Sequence, residues 1–282
     1  MSAETVEAWL LAHEPAIRGS LFLGGLLLFG AMERWFPRRP LTRPRLRRQA
    51  ANLGLVVLNT LALRLLVPAA AVGTAVLAEE RGWGLFAAVD WPRGLELILG
   101  VLLLDLAIYG QHVLFHAVPA LWRLHAMHHA DPDIDVTTGP RFHPLEILLS
   151  MGIKLGLVVA LGAPAVAVLL FEALLGVLPL FNHSNLRLPR GVDRWLRLVV
   201  VTPDMHRVHH SIDPRETRSN FGFNVPWWDR LLGTWRDQPA LGHAGMTIGL
   251  PEHQGGDPQS IRWMLAFPLR RPPTDRGPRA PA

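Results

Sequence analysis

Histidine is the residue type whose spacing in this sequence most clearly indicates chemistry. Thirteen histidines are present, and eight of them fall into three regularly spaced clusters. On an α-helix, residues three or four apart share a face with Cβ atoms about 5–6 Å apart, so each cluster can direct at least two imidazoles to one metal ion or to two neighbouring ions. The clusters are His112-x3-His116, His125-x2-His128-His129 and His206-x2-His209-His210.

The number of clustered histidines indicates a dinuclear metal centre. An imidazole is a neutral ligand that suits iron, zinc, copper and nickel, and one ion takes about four to six ligands. Without a metal, so many imidazoles beside apolar helices would leave buried nitrogens unpaired, at about 1–3 kcal/mol each. Because the sequence contains no cysteine, thiolate metal sites, iron–sulfur clusters with cysteine ligands and cysteine nucleophiles are excluded.

The elements that position these histidines are predicted to be membrane helices. Half of the sequence is hydrophobic, which is unusual for a soluble domain. Gly162 and Pro164 predict a tight helical hairpin between the last two apolar stretches, and Pro68 predicts a kink or a re-entrant piece in the second. Stretches of about 20 residues, the length that crosses a bilayer, occur at 17–36, 51–78, 93–115, 145–163 and 164–182.

The predicted fold is therefore all-α. It is a polytopic membrane bundle with about four to five membrane-embedded helical segments, and a cytoplasmic helical cap holds the dimetal site. The side of the membrane follows from the arginines, because six of them crowd the segment 37–48 and such a loop stays in the cytoplasm. If the stretch 51–78 crosses once, all three histidine clusters reach that same side.

The charge pattern also limits the partners and the source. The formal charge is +5, and Lys154 is the single lysine beside many arginines. No nucleic-acid-binding signature accompanies the arginines, so no nucleic acid is expected as a partner. Abundant arginine and alanine favour a bacterial source, and the expected location is therefore the bacterial inner membrane.

The three clusters, in this order and with this spacing, resemble the histidine boxes of the sterol desaturase and fatty acid hydroxylase superfamily of membrane oxygenases. The resemblance covers about residues 100–236 and is greatest to the alkylglycerol monooxygenase type and its bacterial relatives. Further matching motifs are Asp105-x3-Tyr109, Arg141-Phe142-His143-Pro144, Phe181-Asn182-His183-Ser184-Asn185, Thr202-Pro203-Asp204-Met205-His206, Asn220-Phe221-Gly222 and Trp228-Asp229-Arg230-Leu231-Leu232-Gly233-Thr234.

The resemblance divides the chain into three parts and assigns candidate ligands. The parts are N-terminal membrane helices with a basic loop (1–92), a catalytic domain (93–240) and a flexible C-terminal extension (241–282). The family's metal ligands fall on nine histidines: His112, His116, His125, His128, His129, His183, His206, His209 and His210.

Several further residues have two interpretations. His143 is an additional candidate ligand, or it is a histidine at the start of the helix that Pro144 opens. Asp131, Asp133 and Asp213 lie near the boxes, where they could accept the free imidazole N–H or cap helices. The histidines outside the pattern are expected at the surface: His13, His243 and His253.

The resemblance implies two iron ions that use O2 as a co-substrate to hydroxylate or desaturate a lipid from the bilayer. Fatty acyl, sterol-like and ether lipids are all compatible. The sequence has no dinucleotide-binding fingerprint and no His-Pro-Gly-Gly haem motif, so no bound flavin or haem is expected. Electrons must then come from an external ferredoxin or cytochrome with its reductase, which the arginines at 190, 194 and 197 could dock.

Two other functions remain open at this point. A zinc-dependent membrane hydrolase would need a carboxylate base beside an open metal site, and no His-Glu-x-x-His motif is present. A non-enzymatic metal-binding protein or transporter would place its ligands along a path at mid-membrane, whereas these clusters are predicted at one membrane face. Iron content and O2 dependence distinguish the three.

Overall fold

A computed structural model of the chain describes residues 2–68, 70–255 and 257–270, and it confirms the predicted all-helical fold. Within this described part, the extended pairings are two isolated bridges, Pro37 with Leu186 and Ser211 with Ile248. The first eight helices are α1 (Ala3–Ala12), α2 (Glu14–Trp35), α3 (Arg45–Leu66), α4 (Ala70–Arg81), α5 (Arg93–Ala117), α6 (Pro119–His129), α7 (Pro144–Leu161) and α8 (Ala165–Asn182).

The long helices coincide with the predicted apolar stretches. Within the residues that the structure describes, five helical stretches are long and apolar enough to cross a bilayer: α2, the region Arg45–Ala88, α5, α7 and α8. Their outer faces carry large exposed apolar side chains, such as Leu27 on α2 and Leu65 on α3 at 65% and 80% exposure. Such faces are stable where lipid rather than water covers them. The chain is accordingly an integral membrane protein.

The helices on either side of Pro68 do not form a re-entrant pair. Helix α3 ends at Leu66 and α4 begins at Ala70, as expected for a proline that cannot continue the hydrogen-bond ladder. At the end of α4, Glu79 accepts the Ala165 N–H at 2.8 Å. Helices α3 and α4 together therefore traverse the bundle once, and α4 ends beside the turn between α7 and α8.

The predicted hairpin of α7 and α8 is present and has a tight turn. Gly162 ends α7 with φ +61°, a left-handed conformation that glycine adopts without strain. A Cβ at Gly162 would lie 2.0 Å from the Trp83 carbonyl oxygen. Only glycine permits this approach, so the loop 82–92 and the α7–α8 turn pack together at the end of the bundle opposite the histidines.

The C-terminal part of the chain forms a cap of short helices that is hydrogen-bonded to α5. The Trp228 indole and the Asn224 amide donate to Asp105 at 2.7 and 2.8 Å, and the Tyr109 and Thr234 hydroxyls lie 2.8 Å apart. The cap helices are α9 (Arg190–Leu196), α10 (Pro203–His209), α11 (Pro214–Thr217), α12 (Trp227–Leu231), α13 (Gly242–Gly245) and α14 (Ile261–Ala266), with 3-10 turns at Phe86–Ala88, Pro251–His253, Asp257–Gln259 and Phe267–Leu269.

The expected flexible extension, 241–282, is packed in its described part. Trp263, Met264 and Phe267 are buried in one apolar cluster with Leu55 of α3 and Met127 of α6. Because these large side chains lose their contact with water there, the expectation of a flexible segment is wrong up to residue 270. The remainder of the extension, 271–282, lies outside the described residues.

Candidate metal centre

The nine predicted ligands are buried at the end of the bundle where α5 and α8 finish. His112 and His116 occupy the last turns of α5, and His183 follows the last residue of α8. Helix α6 starts directly after α5 because Val118-Pro119 ends one helix and opens the next. Exposure of the nine imidazole residues ranges from 0% to 5%.

The nine imidazoles form two separate groups. In each group, one candidate ligand atom per residue lies within 4.8 Å of all the others. Each group combines residues from α5 or α8 with residues from α6 and α10, so neither forms unless the whole bundle and cap assemble. The groups are His112, His116, His125, His129 and His209, and His128, His183, His206 and His210.

Backbone carbonyls fix the orientation of four of these rings. A carbonyl oxygen accepts but never donates, so each ring nitrogen Nδ1 bonded to one carries the proton, and Nε2 keeps its lone pair. The pairs are His112 with Phe221 at 2.7 Å, His128 with Arg141 at 3.2 Å, His183 with Pro179 at 2.8 Å and His209 with Ser219 at 2.8 Å.

The nitrogens left with lone pairs converge as metal ligands do. The Nε2 atoms of His128 and His183 lie 3.1 Å apart, and those of His183 and His206 lie 3.0 Å apart. Facing lone pairs repel unless a cation lies between them. Two nitrogens at about 2.1 Å from one ion and at right angles to each other are about 3.0 Å apart. The spacing therefore fits coordination to one ion.

Other imidazole nitrogens have no hydrogen-bond partner among the described residues. They include Nε2 of His116, His129 and His209 and both ring nitrogens of His210. Buried polar atoms are almost always paired in folded proteins, because an unpaired one costs about 1–3 kcal/mol. Two metal ions, one in each group, would remove this deficit, so the residues present fit a dinuclear centre.

The electrostatics of the groups suit metal binding. Burial lowers the pKa of His125 and of His183 to about 3. Burial also lowers the pKa of His128, His206 and His210 well below the ordinary value, and neighbouring imidazoles add to that effect. These rings are thus uncharged at neutral pH, which is the form that a metal ion requires.

Glu146, which the sequence analysis did not select, orients a fifth imidazole, that of His125. Its Oε1 lies 2.7 Å from Nδ1 of His125, with both side chains buried. His125 Nε2 then faces His112 Nε2 at 3.1 Å. One signal was available in the sequence: an acidic residue in an apolar, membrane-length helix is by default a functional candidate.

The three aspartates proposed as imidazole partners have other roles. Asp131 accepts from Arg48 at 2.8 Å and from Thr138 at 2.9 Å. Asp133 accepts the amide N–H of Thr42 and of Arg43, and Asp213 caps α11 through the Arg215 N–H. Asp131 and Asp133 thus tie the basic segment and α3 to the loop after α6, because buried arginine and free amides outcompete a neutral imidazole as donors.

His143 lies outside both groups. Its Nδ1 accepts the Leu145 N–H and its Nε2 lies 3.2 Å from the Leu265 carbonyl, so it caps α7, the second of the two interpretations. The expectation of a surface position holds for His13 but is wrong for His243, which is 4% exposed and lies 3.5 Å from Asp204. His253 is half-buried and packs on Trp263.

A cavity of about 280 Å³ opens beside the five-histidine group. His112 and His125 form part of its wall, together with Phe115, Phe142 and Phe223. Gln111 of the first box also lines it and donates to Ser150 at 2.9 Å. The site thus combines two groups of metal-competent nitrogens with a mainly apolar cavity beside one of them.

Comparison with known proteins finds similarity to one protein family and to several relatives. Residues 97–234 match the fatty acid hydroxylase family. The chain is 34% identical over 150 residues to ornithine lipid hydroxylase OlsE of Rhizobium tropici (53% of this chain, 44% of that protein). It is 26% identical over 155 residues to alkylglycerol monooxygenase of Xenopus tropicalis (54% and 34%) and 28% identical over 131 residues to that of Homo sapiens (46% and 28%).

The chain spans less than half the length of these relatives, and no solved structure is significantly similar to it. The matched segment contains all nine grouped histidines. Residues 97–234 therefore match the fatty acid hydroxylase family, in agreement with the resemblance that the histidine boxes indicate.

Proposed function

We propose that the protein is a di-iron oxygenase that hydroxylates or desaturates a membrane lipid with O2 and electrons from an external donor. The observation that carries this proposal is the convergence of two all-imidazole groups beside an apolar cavity in a membrane protein. Two bound iron ions would supply O2 activation for attack on an unactivated C–H bond. The nine grouped histidines are the proposed ligands.

The chain's own residues perform the positioning. Because His112 and His125 line the cavity, the five-histidine group faces the substrate and the four-histidine group lies behind it. Phe142 stacks on His128 with ring centroids 4.6 Å apart, and Phe223 packs against His112 at 4.9 Å. These rings exclude water from the reacting carbon and hold the imidazoles in place.

A lipid is the proposed substrate class. The names of the relatives describe lipid hydroxylation, and the apolar cavity lies between helices long enough to cross a bilayer. A fatty acyl, sterol-like or ether lipid can therefore enter sideways from the membrane without crossing water. The basic segment 37–48 adjoins the metal centre, so we place the histidine end on the cytoplasmic side of a bacterial inner membrane.

An arginine-rich surface cavity of about 760 Å³ is the proposed docking site of the electron donor. Arg187, Arg190 and Arg194 are exposed there, and an acidic ferredoxin or cytochrome would be attracted to them. Arg197 is unsuitable because it is buried and paired with aspartates. Replacing Arg190 and Arg194 by glutamate should raise the donor concentration needed for half-maximal turnover and leave iron content unchanged. The same change at exposed Arg215, outside this cavity, should do neither.

The test of the main proposal combines metal analysis with lipid analysis. The purified protein should contain about two iron ions per chain. Host lipids should gain one oxygen or lose two hydrogens when wild type is expressed, and not with His128→Ala. Absence of any lipid difference under good oxygenation and electron supply would refute the enzymatic proposal.

The zinc hydrolase alternative is less well supported by the geometry. Glu146 is the carboxylate that contacts a grouped imidazole, and it binds Nδ1 of His125, behind the nitrogen that would face a metal. It therefore orients a ligand and is not placed to activate a metal-bound water. One zinc ion per chain with O2-independent lipid cleavage would nevertheless favour the hydrolase.

A further inference from the structure

An ion cluster lies in the wall of the cavity, inside the helical bundle. Lys154 of α7 contacts Glu172 of α8, and Arg18 of α2 contacts the other oxygen of Glu172 at 2.7 Å. Arg18 also contacts Glu14, one turn earlier on α2. The side chains of Lys154 and Glu172 are 8% and 4% exposed, and both line the cavity together with Arg18.

A structural role alone explains this cluster poorly. Charged groups within a bilayer are expensive, and a buried ion pair can often be replaced by well-packed apolar residues without loss of stability. Lys154 is moreover the single lysine of the chain. A long ammonium side chain is thus found once in the protein, and it lies on the wall of the cavity.

The number of unused hydrogen-bond donors in this cluster determines what it can bind. An ammonium group has three donors and a guanidinium group has five. Among the described residues, Lys154 donates to Glu172, and Arg18 donates to Glu14 and contacts Glu172. Both oxygens of Glu172 are already engaged by cations. The cluster therefore has spare donors on the cavity side, and the complementary ligand group is an oxygen that accepts them.

The position of the cluster relative to the imidazoles is set by one helix face. Glu146, Ser150 and Lys154 line the cavity at four-residue intervals on α7, and Glu146 is bonded to His125. The eight residues from Glu146 to Lys154 correspond to a rise of about 12 Å. A molecule in the cavity can therefore contact the ion cluster and the five-histidine group at the same time.

We propose that Lys154 and Arg18 bind an oxygen-bearing polar group of the substrate, a carboxylate, hydroxyl or carbonyl, about two helical turns along α7 from the contact between Glu146 and His125, and so at a fixed spacing from the C–H bond that is attacked. The identification of that group with part of a substrate rests on the proposed function. The cavity then selects lipids with a polar group at this spacing, and the spacing selects the carbon. A plain hydrocarbon chain end would leave the spare donors without partners.

Binding of short probes to the purified protein in lipid nanodiscs, whatever its metal content, tests this proposal. 1-Decanol, decanoate and decane have similar chain lengths and differ at one end. Wild type should be stabilised against heat more by 1-decanol or decanoate than by decane at equal concentration, since a ligand that binds the folded state more tightly stabilises it more. Lys154→Met should weaken binding of the favoured polar probe at least about tenfold, as expected for a hydrogen bond to a charged group, and leave decane unchanged.

Additional variants keep the test informative if Lys154→Met folds poorly. Lys154→Met/Glu172→Met removes both partners of the buried pair and should show the same loss. Arg93→Met is the matched control, because Arg93 pairs with Glu7 at 2.6 Å but does not line the cavity. It should keep the wild-type preference for the polar probe.

Equal stabilisation of wild type by all three probes would overturn the proposal, and so would an unchanged preference in a folded Lys154 variant. These results are separable from the proposed function, because binding is measured without turnover. Missing iron or missing lipid oxidation would refute the oxygenase and leave the probe preference intact.

Discussion

Replacement of Glu146 by glutamine should weaken the binding of one metal ion and leave the binding of the other unchanged. The carboxylate accepts from His125 at 2.7 Å with both groups buried. His125 belongs to the five-histidine group, whereas the four-histidine group has no contact with Glu146 among the described residues. The variant should therefore produce a difference between two otherwise similar ions.

The expected size follows from the kind of contact. Loss of the group that holds a metal-bound imidazole typically reduces metal affinity 10- to 100-fold, which is about 1.4–2.7 kcal/mol. The glutamine amide of the variant still offers an oxygen to Nδ1 but no negative charge, so the lower half of this range is expected. The fold should persist, because the substitution preserves side-chain shape.

A chelator titration with iron quantified per chain measures this effect. Wild type should retain both ions up to a given chelator concentration, and Glu146→Gln should release one ion at a concentration about tenfold lower. Asp133→Asn is the control, because Asp133 accepts backbone N–H groups and no imidazole. Release of both ions together, or of neither, would show that Glu146 does not orient a ligand of one site.

Three further outcomes are expected. Gly139→Ala should weaken metal binding by the four-histidine group, because the new Cβ would lie 2.6 Å from the Pro179 carbonyl that orients His183. The iron content per chain measures this effect. Trp228→Phe should destabilise the detergent-solubilised protein by about 1–3 kcal/mol, since it leaves buried Asp105 short of a donor. Metal-free protein should lose stability as pH falls below about 6.5, by about 1.4 kcal/mol per pH unit for each buried imidazole, because unfolded histidines take up protons there and folded ones, with pKa values lowered by burial, do not.

Controls for these outcomes come from the same chain. Gly152→Ala meets no atom within 4 Å and should leave iron content unchanged. Trp195→Phe alters a side chain that is 69% exposed and should shift the melting temperature little. A melting temperature of the metal-free protein that stays constant from neutral pH down to the folded pKa of about 3 would contradict the burial of neutral imidazoles.

Local spacing was sufficient to predict the helices and to indicate that each histidine cluster could direct imidazoles to a metal, but not which histidines of different clusters form one group. The interval of three or four residues in each box places imidazoles on one helix face, and Gly162 with Pro164 predicts the turn that returns α8 to the histidine side. These features depend on the geometry of a single helix or turn. They can therefore be predicted without knowledge of tertiary contacts.

The partners of the imidazoles depend on tertiary contacts and were not predictable in the same way. His112 bonds to the carbonyl of Phe221, 109 residues away in the chain. No local sequence pattern indicates a contact between residues so far apart. Proximity in sequence favoured Asp131 and Asp213, but their carboxylates are taken by a buried arginine and a helix start. His243 was expected at the surface because its burial beside Asp204 depends on how the cap folds back.

Four imidazoles are oriented by backbone carbonyls and one by a side chain, so mutation does not affect the two histidine groups equally. A carbonyl persists whatever side chain occupies positions 141, 179, 219 or 221, so amino-acid replacement there cannot delete the acceptor. Glu146 is the oriented contact that a single codon change removes. Under the proposed function, natural or designed mutations of these contacts would therefore act mainly on an ion held by the five-histidine group, while an ion held by the four-histidine group would keep a constant electronic environment.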